Sequence, residues 1–83
     1  MRVQILFFGV LKEIFGGESE MLELKEETSV AHLKSLFEGR VRGREDLMRS
    51  IAVAVNRQYA QAEDVLCDGD EVALLPPVSG GLR

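Results

Sequence analysis

The sequence predicts a single α+β domain in which strands pack against one capped amphipathic helix. Segments of alternating apolar residues indicate the strands, and a hydroxyl-capped segment with an apolar stripe indicates the helix. The 83-residue chain is long enough for one hydrophobic core only. A composition of 46% hydrophobic and 29% charged residues is typical of a folded domain rather than a disordered segment.

The N-terminal third predicts a strand, a short helix and a second strand. Residues 3–8 alternate and are rich in β-branched and aromatic types, which places three side chains on one face: Val3, Ile5 and Phe7. Apolar residues in the segment 11–15 recur at helical spacing, and Gly16-Gly17 can adopt the positive φ at which many helices end. Alternation at 21–24 predicts the brief second strand.

The middle of the chain predicts the main helix. Thr28 and Ser29 provide hydroxyl groups for its N-terminus, and an apolar stripe follows at helical spacing: Val30, Leu33, Leu36 and Phe37. This stripe is expected to face the sheet, and Gly39 is expected to end the helix. A further helical turn is predicted near Leu47 and Met48.

The last third predicts three strands. Residues 51–55 set large apolar side chains against alanines, a pattern that suits a buried central strand. Asn56-Arg57 is expected to turn the chain into a short strand at 58–60, because Asn tolerates left-handed geometry. Asp68-Gly69-Asp70 predicts a tight turn into the final strand at 72–75.

Charge and composition argue against several classes of partner. The net charge is -4 and the pI about 4.9, so we expect neither nucleic acid nor a membrane surface to bind. Arg40, Arg42 and Arg44 lie among glycines and acidic residues, which favours a solvated loop over a basic binding patch. No apolar stretch approaches the roughly 20 residues that cross a bilayer. With no signal-peptide pattern and a single cysteine, the expected location is the cytoplasm.

Few side chains are of the usual catalytic types. His32 is the only histidine and lacks companions for metal ligation, so no metal site is predicted. Cys67 has no adjacent base, and we interpret it as a packing residue. The acidic residues at 68–71 lack the later ligands of a calcium loop and are better explained by a turn. The sequence therefore argues against a self-contained active site.

The C-terminal tail is the segment with the clearest functional pattern. Pro76-Pro77 ends the last strand and keeps the chain extended, because proline cannot donate to a ladder. Gly80-Gly81 has no side chains and would fit a narrow channel, although a frayed terminus is the plainer interpretation of such an ending. We divide the chain into a globular domain at 1–76 and an extended tail at 77–83.

Several segments together resemble the small subunit of molybdopterin synthase, the MoaD family. The resemblance spans essentially the whole chain and is carried by five segments, at 3–9, 28–30, 54–56, 68–72 and 75–81. The Gly-Asp-Glu-Val run followed by Leu-Pro-Pro-Val-Ser-Gly-Gly is the most specific part. The resemblance implies a ubiquitin-like β-grasp fold, with a mixed sheet packed against one main helix.

The resemblance also implies the function of a sulfur carrier. In this family an E1-like enzyme uses ATP to adenylate the terminal carboxylate, corresponding to Gly81, which then becomes a thiocarboxylate. The tail inserts into the large subunit of the synthase, and its sulfur passes to cyclic pyranopterin monophosphate. The chain would be a sulfur-donating subunit without a permanently bound cofactor, and the large subunit would supply the active site.

This resemblance assigns the expected site residues. Gly81 would react, and Gly80 would provide the slender approach to it. Apart from the resemblance, a mobile arm alone would lose much entropy on binding, so we also expect an apolar contact surface beside the tail. Phe8 and Leu75 are the candidates for it, although core packing would explain both equally well. The residues at the end of the domain and in the tail that are expected to contact the partner are Pro76, Pro77, Val78 and Ser79.

The chain departs from the family pattern because Leu82-Arg83 follows Gly81. While Leu82 is attached, the Gly81 carbonyl belongs to an amide and cannot be adenylated. We expect a protease to remove these residues; an addition made for expression and the remnant of a fusion are the alternatives. Sulfur carriage for thiamine, cysteine or another metabolite, protein modification, and a non-catalytic ubiquitin-like binding module remain alternative functions.

Overall fold

The computed structural model describes residues 1–77, which form a five-stranded sheet with three helices contributing to the core on one face. The elements in chain order are β1 (Arg2–Phe7), α1 (Val10–Phe15), β2 (Ser19–Glu23), α2 (Val30–Glu38), α3 (Glu45–Arg49), β3 (Ala52–Val55), β4 (Gln58–Tyr59) and β5 (Glu71–Leu75). The strand order is β2-β1-β5-β3-β4. β1 and β5 are parallel, and the other neighbours are antiparallel, so the sheet is mixed.

The predicted alternation of β1 is confirmed. Val3, Ile5 and Phe7 are at most 2% exposed and face the helices. The ring of Phe7 stacks on Phe15 of α1 at 4.8 Å, and Phe37 of α2 meets both rings edge-on at 5.8 and 5.2 Å. This aromatic cluster joins β1, α1 and α2 in one core.

The predicted cap of α2 is also confirmed. The hydroxyl of Ser29 accepts a hydrogen bond from the backbone N–H of His32 at 3.1 Å, which satisfies a donor of the first turn. The helix ends before Gly39, as predicted, but this glycine is right-handed, with φ -69°. Its flexibility is therefore not what ends α2.

The turns that precede β4 and β5 are linked by side-chain hydrogen bonds. Asn56 and Arg57 have φ of 52° and 72°, as a two-residue hairpin turn requires. Asn56 donates from Nδ2 to Asp70 Oδ1 at 2.9 Å and accepts from the Glu71 N–H at 3.0 Å. The Asp70 carboxylate also accepts from the Cys67 N–H at 2.7 Å. These bonds hold the start of β5 against the β3–β4 turn.

Four sequence-based interpretations are corrected. Leu36 was expected to face the sheet with the rest of the α2 stripe, but it is 43% exposed, because Leu33 and Phe37 occupy the side of the helix that faces the core. The segment 51–55 was expected to be the central strand. β3 does lie inside the sheet, but the central position belongs to β5, whose short apolar run shows a less regular alternation of side chains. Cys67 is exposed and is not a packing residue, because the turn at 68–70 places it at the surface. Arg40 is not merely solvated: it forms a bidentate pair with Glu20 at 2.9 and 3.0 Å, and its guanidinium lies over the Phe37 ring at 4.8 Å.

Candidate functional site

The tail leaves the fold from the middle of the sheet. Leu75 is the last residue of the central strand β5 and pairs with Ala52 at the start of β3. On the other side, β1 runs parallel to β5 and ends at the same edge, where Phe7 pairs with Leu74. The base of the tail is therefore flanked by ordered backbone on both sides, because β5 is central rather than at an edge.

The sheet face opposite the helices carries an apolar surface beside this exit point. Leu6 pairs with Ala73, Ala73 pairs with Ala54, and Ala54 pairs with Tyr59, so these side chains form one row across four strands. Leu75 is two residues nearer the tail than Ala73 and therefore lies on the same face. Together with Phe8 they form what we call the open-face patch: Leu6, Phe8, Ala54, Tyr59, Ala73 and Leu75.

Two aromatic side chains dominate the exposed part of the patch. Phe8 directly follows β1, where alternation places it on the same face as Leu6, and it is 42% exposed. Tyr59 is 80% exposed, because β4 is an edge strand of two residues. An exposed Phe and Tyr on a rigid sheet are typical anchors of protein interfaces.

The open face is polar at the end far from the tail. Arg2 and Glu23 form an ion pair at 3.1 Å, and the Arg57 and Glu71 side chains approach to 3.9 Å. These pairs are solvent-exposed and add little to stability. Met21, which pairs with Gln4 on this face and is 56% exposed, is an apolar side chain outside the open-face patch. The patch itself lies in the half of the face nearer the tail.

The structure brings together the predicted contact residues as far as it describes them. Phe8 lies outside the hydrophobic core, so core packing does not account for it, and Leu75 is half-buried beside the exit point. Pro76 is half-buried and Pro77 is exposed. The remaining predicted residues, Val78, Ser79, Gly80 and Gly81, lie outside the described residues.

Sequence reasoning missed Tyr59, the most exposed large apolar side chain of residues 1–77. Its signal was its position three residues after Asn56 in a short strand. The face on which it lies depends on pairing with Ala54, which the sequence does not specify.

Within 1–77, no three His, Cys, Asp or Glu side chains converge as metal ligands. His32 is exposed and lines a shallow depression with residues 23–29, near the turn that precedes α2. No helix of the described part is long and apolar enough to cross a membrane. The described feature near the point where the tail leaves β5 is the apolar open-face patch.

Comparison with known proteins identifies the family. The family model described as the ThiS family matches residues 5–81. The chain belongs to the ThiS family. It is 36% identical over 83 residues to the molybdopterin synthase sulfur carrier subunit of Homo sapiens, and the match covers 96% of this chain and 94% of the human protein. The resemblance inferred from the sequence is therefore confirmed.

Solved structures support the same relationship. One is a complex of subunits 1 and 2 of molybdopterin-converting factor from Helicobacter pylori, matched with a TM-score of 0.68 at 28% identity over 98% of this ThiS-family chain and 100% of that chain. Another is SAMP1 from Haloferax volcanii, with a TM-score of 0.77 at 27% identity over 98% and 100% of the two chains. The ubiquitin-like β-grasp fold expected from the resemblance is confirmed.

Proposed function

We propose that this chain is the sulfur carrier subunit of a molybdopterin synthase and that Gly81 carries the sulfur. The observation that supports it most is the near full-length similarity to the human sulfur carrier subunit. The geometry agrees, because the tail begins at the centre of the sheet beside an apolar patch. The body would dock through this patch while the tail delivers its end to the active site of the large subunit.

The chemistry explains why the carrier needs partner enzymes. A free terminal carboxylate is an anion at neutral pH and therefore a poor electrophile. In the proposed reaction, a carboxylate oxygen of Gly81 attacks the α-phosphorus of ATP and releases pyrophosphate. A sulfur nucleophile then displaces AMP and leaves the thiocarboxylate. An E1-like enzyme would supply the ATP site and the acid–base groups, and we propose that the reaction takes place in the cytoplasm.

Gly81 becomes available only when Leu82-Arg83 is removed. The family match ends at Gly81, which supports this residue as the functional terminus. A peptide bond to Leu82 leaves no carboxylate for ATP to activate, so we propose that a processing protease acts before the E1-like enzyme. The sequence of events is cleavage, adenylation, sulfur transfer and docking.

Docking on the large subunit would bury the open-face patch. A tail alone would lose much conformational freedom on binding, and a rigid surface beside it reduces that loss. The similar Helicobacter pylori structure is described as a complex of subunits 1 and 2, which supports a large-subunit partner here. Phe8 and Tyr59 are the proposed anchors on this chain.

Protein modification is the second candidate, favoured by the similarity to SAMP1, a small archaeal modifier protein. Both functions require an activated Gly81 and differ in the acceptor. A carrier passes sulfur to a metabolite, whereas a modifier remains attached through its carbonyl to a lysine amine.

The decisive experiment follows the mass of the C-terminus through the reaction. The full chain and a form ending at Gly81 are incubated with ATP, a sulfur source and the E1-like enzyme of the same genome. Of these two, we expect only the form ending at Gly81 to gain the oxygen-to-sulfur mass difference. A form ending at Gly80 serves as the matched control. Addition of the large subunit and cyclic pyranopterin monophosphate should then yield molybdopterin.

Two results would contradict the proposal. The first is a native pool that retains Arg83 while the cell makes molybdopterin. The second is a thiocarboxylate that the large subunit cannot use although it accepts sulfur from another carrier. Lysine conjugates in the same cells would instead support the modifier.

A further inference from the structure

The turn that follows β1 contacts the base of the tail. The Leu11 N–H donates to the Phe8 carbonyl at 3.1 Å, which closes a four-residue turn with Gly9 in its first central position. Gly9 has φ 57° and ψ -135°, close to the geometry of a type II′ turn, which favours glycine there. The same residue precedes α1 as its N-cap. The backbone at Gly9 is thus fixed by its neighbours.

Gly9 lies against Pro76. A Cβ atom added at Gly9 would lie 3.0 Å from Pro76 Cγ and 3.9 Å from its Cδ. The other positive-φ glycines of residues 1–77, Gly16, Gly43 and Gly69, have no such atom within 4 Å. Among these four glycines, therefore, only Gly9 combines a turn with a close contact to Pro76, the residue that precedes the tail.

The position of Pro76 matters because the chain has little freedom where it leaves β5. The ring fixes φ of Pro76 near -65°, and each residue that precedes a proline is restricted to extended conformations. These limits apply to Leu75, Pro76 and Pro77 in succession. A shift of the Pro76 ring larger than a change of ring pucker can absorb therefore changes the direction of the chain at Pro77, because backbone rotation there is restricted.

A small change of direction has a large effect at the reactive end. Gly81 is five residues beyond Pro76, a reach of at most about 17 Å. When a partner holds the tail extended, a tilt of about 10° at its base displaces its end by about 3 Å over that reach. Misplacement of a reacting group by about 1 Å can slow a reaction roughly a hundredfold.

We infer that Gly9 is a positioning residue for sulfur transfer. The Pro76 ring packs against Gly9, and this contact sets the direction in which the tail leaves the docked domain toward the active site. This inference rests on the proposed carrier function. Gly9 acts through Pro76 and touches neither the sulfur nor its acceptor. The absence of a side chain at Gly9 allows both the positive φ of the turn and the close approach of the Pro76 ring.

The test compares Gly9→Ala with Gly69→Ala, a control that strains a turn at φ 88° with no neighbour within 4 Å. Each form ends at Gly81 and carries a chemically installed thiocarboxylate. Single-turnover conversion of cyclic pyranopterin monophosphate is measured with saturating large subunit, alongside affinity and thermal stability. We expect Gly9→Ala to slow conversion at least about tenfold while affinity changes less than about threefold. Gly69→Ala should lose stability but not rate.

Pro76→Ala removes the ring carbon that meets Gly9 and provides the second test. We expect it to slow conversion by itself, and Gly9→Ala should add little in its presence, because both changes disturb one contact. If Gly9→Ala does not fold, an unchanged rate for Pro76→Ala overturns the inference. An unchanged rate for a folded Gly9→Ala, or equal losses for Gly9→Ala and Gly69→Ala, also overturns it. Failure of the wild-type thiocarboxylate to react would instead overturn the proposed function.

Discussion

Replacement of Phe8 by alanine should weaken binding to the large subunit without unfolding the carrier. A phenylalanine side chain buries about 150–250 Å² when fully covered, and Phe8 is 42% exposed. A partner can therefore cover roughly 80 Å² more, which corresponds to about 2 kcal/mol at about 25 cal/mol per Å². A free-energy change of about 1.4 kcal/mol corresponds to a tenfold change in the dissociation constant. The dissociation constant should therefore rise about 10- to 30-fold.

The assay is calorimetric titration of the form ending at Gly81 into the large subunit, with Leu36→Ala as the matched control. Leu36 is 43% exposed, but it lies on α2, on the helical side of the sheet. Its truncation should leave the dissociation constant unchanged. Phe8→Asp should weaken binding further, because it adds the cost of burying a charge. Normal folding of Phe8→Asp with unaltered affinity would remove Phe8 from the interface.

Three further substitutions test the patch, the core and the helix cap. Tyr59→Ala should weaken binding to the large subunit at least as much as Phe8→Ala, with little loss of stability. Val65→Ala, at an exposed apolar position outside the patch, should leave this binding unchanged. Equal effects of Tyr59→Ala and Val65→Ala on binding would refute the placement of Tyr59 in the interface. Phe37→Ala should lower the free energy of unfolding by about 3–5 kcal/mol in urea titrations, since its ring is fully buried, and a loss below about 1 kcal/mol would contradict this packing. Ser29→Ala should cost about 1 kcal/mol in the same titration, and Ser35→Ala, exposed within α2, should cost none; similar losses would show that the cap is not responsible.

Local structure was predictable wherever it depends on neighbouring residues. The alternation of β1, the Ser29 cap and the left-handed turn at Asn56-Arg57 were all predicted from the sequence. Each is determined within a few positions by side-chain periodicity, hydroxyl chemistry or backbone sterics. The ends of β2 and β5 differ by one or two residues from their predicted limits, because strand ends depend on the partner strand.

Features that depend on distant residues were missed or wrongly assigned. Arg40 was expected in solvent, but Glu20 of β2 and two aromatic rings lie beside it once the helices pack. Cys67 was expected inside because it has no adjacent base that would make it reactive, but it is exposed beside the surface turn at 68–70. Tyr59 was not singled out, because its face follows from the register between β3 and β4.

The sequence by itself predicted the C-terminal arm that we propose carries sulfur, and it identified the residues that form the local elements of the fold. Gly81 and the prolines before it are informative through their own chemistry, since glycine lacks a side chain and proline restricts φ. Only the tertiary structure decided that β5 lies between β1 and β3, that the tail starts beside the open-face patch, and that Gly9 meets Pro76. These relations join residues up to 67 positions apart, and pairing across such distances is set by the packing of the whole sheet rather than by local preference.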